Sequence, residues 1–155
     1  MKKQKSEETM KIYVINGPNL NFLGIREPQL YGRQTYQDLV DSVRSWAEEM
    51  NLEVEIYQSN HEGDLVTKIQ EAYGKADGII INAAAYTHTS VAVLDALKAV
   101  AIPTVEVHLT DIQEREPFRR HSYVSMAAEK MICGKGFEGY REALEYFCKK
   151  QTDRT

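Results

Sequence analysis

Hydrophobic and polar positions along this chain switch between a strand-like and a helix-like rhythm five times. Lys11–Asn16 (KIYVIN) is a short β-rich run ended by the turn pair Gly17-Pro18, and it predicts the first strand. Residues 17–34 hold three glycines, two prolines and no sustained period, which predicts a long loop. Loops of that length inside a compact domain are usually functional. Thr35 is placed to cap the first long helix, with Asp38 three residues on. Tyr36, Leu39, Val40, Val43, Trp46, Ala47 and Met50 keep one apolar face to about Asn51. Leu52–Gln58 alternates as a strand does. Ser59 or Asn60 is expected to cap the next helix, with a stripe of Leu65, Val66, Ile69, Ala72 and Tyr73.

Asp77–Asn82 (DGIIIN) is a continuous apolar run, the pattern of a central parallel strand covered on both faces. The segment from His88 to Val100 predicts a helix that is apolar on most sides, and so either deeply buried or part of a subunit contact. Ile102–Val107 predicts a fourth strand, followed by an irregular stretch from His108 to Ser122. Ala128–Cys133 predicts the fifth strand. Phe137, Tyr140, Leu144 and Phe147 mark the docked stripe of a closing helix. Alternating strands and helices of this kind imply an α/β fold: a five-stranded parallel sheet between two helical layers, flavodoxin-like. One domain is expected over 10–150, with a disordered, mixed-charge tail at 1–9 and a short C-terminal tail at 151–155.

Composition narrows the classes. The chain is 43% hydrophobic and 27% charged, as expected of a globular protein. Its net charge of −4, from 23 acidic against 19 basic residues, argues against a nucleic-acid partner. Its apolar runs are too short to span a membrane. Cys133 and Cys148 show neither metal-ligand spacing nor a disulfide framework. The N-terminal stretch lacks the apolar core of a secretory signal, so a cytoplasmic location is expected.

In an open α/β sheet, ligands bind beyond the carboxyl ends of the strands. Those positions hold Asn16 and Asn19 after strand one, and Ser59, Asn60, His61 and Glu62 after strand two. Asn82, Thr87, His88, Thr89 and Ser90 follow strand three. Glu106, His108 and Thr110 come at strand four, with Arg115, Arg119 and Arg120 beyond. No phosphate-binding glycine motif follows strand one, and there is no aspartate cluster suited to Mg²⁺. Amides, imidazoles and guanidiniums together suit a small polyhydroxylated anion. The first loop adds Arg26 and Tyr31. A phenol ordinarily ionises near ~10, and a guanidinium held against it favours the phenolate. On that spacing alone, a surface tyrosine packed by an arginine is the simpler reading.

The strings Asn16-Gly17-Pro18-Asn19-Leu20-Asn21, Leu23-Gly24, Arg26-Glu27-Pro28 and Tyr31-Gly32 resemble the type II 3-dehydroquinate dehydratases. So do QSNHEG (58–63), YTHTS (86–90), EVHLT (106–110), FRRHSYVS (118–125) and GKGFEGY (134–140), in order across residues 10–150. The resemblance implies a lyase that converts 3-dehydroquinate to 3-dehydroshikimate without a cofactor. The implied reaction is an anti elimination through an enolate, the third step of the shikimate pathway to aromatic amino acids. By the same resemblance Tyr31 is the base, and Arg26 keeps it ionised. Asn19 stabilises the enolate oxygen, and His108 is the general acid supported by Glu106. Asn82, Leu109 and Thr110 hold the substrate carboxylate, while His88 and Arg119 hold ring hydroxyls. Asp95 reaches in from a neighbouring subunit of a dodecamer built from four trimers. The chain departs from the family pattern at Ala83-Ala84, where Pro-Gly is common. It also departs at Thr110-Asp111, in place of Ser-Asn, and at Leu94, in place of an arginine. Two other readings stay open on the sequence alone: a flavin or phosphate-ligand binding module, and a relative without catalysis.

Overall fold

The computed structural model describes residues 9–25 and 27–153, with the side chains of Leu30 and Tyr31 outside the description. Five strands, β1 (Lys11–Asn16), β2 (Glu53–Gln58), β3 (Gly78–Asn82), β4 (Thr104–His108) and β5 (Lys130–Cys133), form one parallel sheet in the order β2-β1-β3-β4-β5. Five helices complete the frame: α1 (Pro28–Tyr31), α2 (Tyr36–Glu49), α3 (Glu62–Ala72), α4 (Val91–Val100) and α5 (Glu138–Asp153). Because β1 leads outward to β2 and the chain then returns to β3 on its other side, the connections diverge between β1 and β3. A crevice opens at such a switch point, outside the carboxyl ends of the strands.

Strand alternation divides the core into two layers. Ile12, Val14 and Ile80 face α2 and α5, packing with Leu39, Val43, Tyr140, Leu144 and Phe147. Tyr13, Ile15, Ile79 and Ile81 face the opposite way, onto Leu65 and Ile69 of α3 and Val93 and Leu97 of α4. Each fully buried aliphatic side chain of this kind contributes roughly 1.5–3 kcal/mol. The capping box at Thr35 forms as expected: Thr35 Oγ1 accepts from the Asp38 amide at 3.1 Å, and Asp38 accepts from the Thr35 amide at 2.9 Å. Caps of this type are worth about 1 kcal/mol.

The structure alters several expected boundaries. The N-cap of α3 is His61, because Ser59 turns its hydroxyl inward, accepting from the His61 amide and donating to Asp64. Tyr73 leaves the apolar stripe: its extended backbone ends α3 and exposes the ring. The helix expected from His88 begins at Val91, capped by Ser90, with a 3₁₀ turn over Ala84–His88 before it. α5 runs through Asp153, into the stretch expected as a tail, where Lys150 pairs with Glu129 and Thr152 bonds back to the Cys148 carbonyl. Among the described residues no helix is long and apolar enough to cross a membrane.

Candidate active site

The carboxyl ends of β1, β3 and β4 open into one cleft of about 180 Å³. Asn19, Asn82, His88, His108, Leu109, Thr110 and Arg119 line it together, as does Arg115, to which the resemblance gave no role. Two close approaches shape its floor. Gly17 carries β1 past Ala83 so tightly that a Cβ would lie 2.5 Å from the Ala83 carbonyl oxygen. Asn82 Oδ1 accepts the Ala84 amide at 3.1 Å, which fixes Ala84 in a left-handed conformation with φ 52°.

Beneath the cleft runs a buried chain of hydrogen bonds. Tyr140 donates its hydroxyl to Asn16 Oδ1 at 2.7 Å, and Asn82 Nδ2 donates to the Tyr140 oxygen at 3.1 Å. Burial pushes the Tyr140 phenol far above its ordinary value, so it acts as a neutral donor. Asn82 is thereby held from below, with its side chain at the cleft surface.

At the end of β4, His108 is 5% exposed, and Glu106 behind it is completely buried. His108 Nε2 lies 2.5 Å from Glu106 Oε2, leaving Nδ1 as the ring nitrogen not engaged by the carboxylate. The same oxygen accepts from Thr87 Oγ1 and from Ser122 Oγ, each at 2.7 Å, while Oε1 is buried with no partner among the described residues. Burial alone would raise the Glu106 pKa. The hydrogen bond and charge of His108, followed by the two hydroxyl donors, outweigh that and hold the carboxyl below its usual range. The site therefore contains a buried anion bonded to an imidazole that faces a cleft, which is the arrangement of a supported general acid.

His88 closes the other side. Its Nδ1 donates to the His121 carbonyl at 2.7 Å, leaving Nε2 as an acceptor. Burial lowers its pKa, and the neighbouring charges of His108 and Arg119 push the same way, so the neutral ring is favoured. Arg119 Nε bonds Glu116 at 2.6 Å, and its guanidinium lies 5.1 Å from the Phe118 ring centre.

Asn19 is exposed at φ 70°, with its amide bonded to Asn60 Oδ1 at 3.0 Å. Tyr31 ends the four-residue helix α1; its side chain, and all of Arg26, lie outside the described residues. Asp95 is on the exposed side of α4 and does not line this chain's cleft. Leu94 is buried within the chain. Asp111, one of the departures, turns its carboxylate to the Gln113 amide at 2.9 Å and so caps its own turn, away from the cleft. Among the described residues no group of three or more His, Cys, Asp or Glu is arranged to hold a metal ion.

Sequence reasoning placed Thr87 at a strand end without assigning it a partner and gave Ser122 no role. Their spacing alone offered no signal, because the loops that carry them meet only once the sheet is assembled.

A sequence profile of the family described as Dehydroquinase class II matches residues 10–148. The 3-dehydroquinate dehydratase of Bartonella tribocorum is 54% identical over 142 residues, covering 92% of this chain and 95% of that one. The Pseudomonas aeruginosa protein named 3-dehydroquinate dehydratase 2 is 52% identical over the same length, covering 92% and 96%. The crystal structure of type II dehydroquinase from Butyrivibrio crossotus superposes with a TM-score of 0.88 at 50% identity, covering 89% of this chain and 97% of that one. With the profile spanning nearly the whole sequence and these relatives matched end to end, the chain belongs to the class II dehydroquinase family.

Proposed function

We propose that this chain is a type II 3-dehydroquinate dehydratase, a hydro-lyase of the shikimate pathway that turns 3-dehydroquinate into 3-dehydroshikimate and water. The observation that carries the reading is the Glu106–His108 pair, with His108 lining the cleft and Glu106 buried behind it, in a chain of this family. In the proposed cycle Tyr31, as phenolate held ionised by Arg26, takes the proton at C2. The electrons move onto the C3 ketone oxygen as an enolate. Asn19 stabilises that oxygen through hydrogen bonding. The enolate then collapses, the C1–O bond breaks on the opposite face, and protonated His108 delivers a proton so that the hydroxyl leaves as water. Glu106 holds the His108 ring in place for that step through the Nε2 hydrogen bond.

The substrate carboxylate lies against Asn82, Leu109 and Thr110, with His88 accepting from a ring hydroxyl and Arg119 donating to another. The catalytic unit spans 10–150, works without a cofactor in the cytoplasm, and assembles as a dodecamer of four trimers in which Asp95 of one chain completes a neighbour's site.

Purified protein incubated with 3-dehydroquinate is expected to produce the enone absorbance of the conjugated product, at an undiminished rate after dialysis against EDTA. Absence of product would overturn the assignment. Loss of rate with EDTA would overturn its cofactor-free form, and sedimentation as anything but a dodecamer would overturn the assembly.

A further inference from the structure

We propose that Thr87 and Ser122 are positioning residues for the general acid, a hydroxyl pair that keeps Glu106 anionic and aimed at His108. The inference rests on the proposed dehydratase reading for its catalytic consequence, but its physical content stands on the geometry. Both hydroxyls are buried, and both lie 2.7 Å from the one carboxylate oxygen that also meets His108. Each hydroxyl has a single proton to give. Ser122 Oγ already accepts the Ser125 amide at 3.1 Å, which leaves its proton for Glu106. Three donors converging on one oxygen suit a carboxylate, and a carboxylic acid with its proton on that oxygen would oppose all three. Since Oε1 has no partner among the described residues, no donor there would compensate for a hydroxyl lost from Oε2.

The two hydroxyls come from different loops, and those loops are tied at two further points. Tyr123 donates its amide to the Thr87 carbonyl at 2.8 Å, and His88 donates Nδ1 to the His121 carbonyl at 2.7 Å. The 121–123 segment thus orients His88 and Glu106 together. Besides His108, the titratable groups that feel Glu106 are His88 on the turn after β3 and the Cys133 thiol on β5, with Asp111 beside that thiol and Arg119 beside His88.

The test uses the full-length protein with Thr87→Val, Thr87→Ser, Ser122→Ala and the double variant Thr87→Val/Ser122→Ala. Thr87→Val replaces the hydroxyl with a methyl of nearly the same shape. It is expected to lower kcat about tenfold with KM within about twofold, and to move the acid limb of kcat upward by about one pH unit. Thr87→Ser restores the hydroxyl and is expected to return both values. The double variant should exceed either single change. Independently of turnover, protein labelled at histidine Cε1 reports the ring of His108, which is assigned by difference with His108→Asn among the four histidines. Its low-pH inflection, which senses protonation of Glu106, is expected to rise by about one unit in Thr87→Val and Ser122→Ala.

If that inflection stays at the wild-type pH in both variants, the positioning role is wrong, whatever the enzyme's activity. If Thr87→Ser behaves like Thr87→Val, returning the hydroxyl restores nothing, and the role is equally overturned. If wild-type protein makes no product while the inflection still moves, the dehydratase reading fails and the hydroxyl pair stands. Should Thr87→Val fail to fold, Ser122→Ala carries the same readouts.

Discussion

At the end of β4, His108 is oriented by a buried carboxylate that is itself held by hydroxyls from two loops, and the whole assembly is backed by the sheet. The loop after β1 is made differently. Leu20 and Leu23 plug it into the core, but most of its other described residues are exposed. Asn19, Gly24, Glu27 and Gly32 all take positive φ. The acid half of the proposed chemistry is therefore pre-organised by burial, whereas the base half is carried on a segment with little packing of its own. Such a division suits an elimination in which the leaving group needs a fixed proton donor, while the base must admit substrate before it engages.

The sharpest way to break that contrast is to remove one oxygen or one ring from each half. Tyr31→Phe deletes only the phenol oxygen. It is expected to lower kcat by about 10²–10⁴-fold, the usual span for a general base. The folding free energy is expected to change by no more than about 0.5 kcal/mol. His108→Asn is expected to cost a similar factor in kcat, followed by enone absorbance, and also about 1–3 kcal/mol in urea denaturation, because Glu106 loses a buried partner. Equal stability losses in the two variants would erase the distinction between the halves. Near-wild-type turnover in Tyr31→Phe would place the base elsewhere.

Glu106→Gln tests whether the buried half works through charge. The change keeps the side-chain shape and is expected to lower kcat by about 10-fold or more, less than loss of His108 itself. It also has a pH signature. Folding depresses the Glu106 carboxyl pKa, since its hydrogen-bond donors outweigh the burial that would raise it. A carboxyl depressed in this way adds stability above its unfolded value of about 4.3, and that contribution is lost as pH falls through the lower folded value. Wild-type protein should therefore lose urea resistance more steeply below about pH 4.3 than Glu106→Gln does. Parallel urea midpoints from pH 6 to pH 3 would show that the anion contributes nothing to the fold.

Much of this contrast was legible in the residues. The β-rich run KIYVIN and the unbroken run GIIIN located the central strands, since a parallel sheet needs apolar residues on both faces. Glu106 and His108 were readable as neighbours because residues two apart on a strand point the same way. The resemblance supplied their roles. What could not be read were contacts that depend on how loops meet. Thr87 and Ser122 lie 35 residues apart and converge only after β4 and the following loop are placed. Arg115 enters the cleft for the same reason. Ser59 failed as a helix cap because Asp64 and the His61 amide compete for its hydroxyl. Asp95, exposed on α4, gives no sign within one chain of the site it is proposed to complete.

The smallest expected effect probes how much strain the rigid half tolerates. Ala84 sits at φ 52°, where a side chain is disfavoured by roughly 1–2 kcal/mol. The family commonly places glycine at this point, and the Asn82 side chain holds the turn through the Ala84 amide. Ala84→Gly removes the strain but gives the unfolded chain more freedom, which costs about 0.4–1 kcal/mol. The balance is a gain of about 0.5–1 kcal/mol in urea denaturation, with kcat unchanged because Asn82 keeps its position. If Ala84→Gly instead lowered kcat or raised KM, the alanine methyl would be shaping the cleft, which Ala84 lines. The departure from the family pattern would then act on substrate as well as on the turn. A stability loss with kinetics intact would show that the surrounding hydrogen bonds already absorb the strain, as expected of a pre-organised wall and not of the loop opposite.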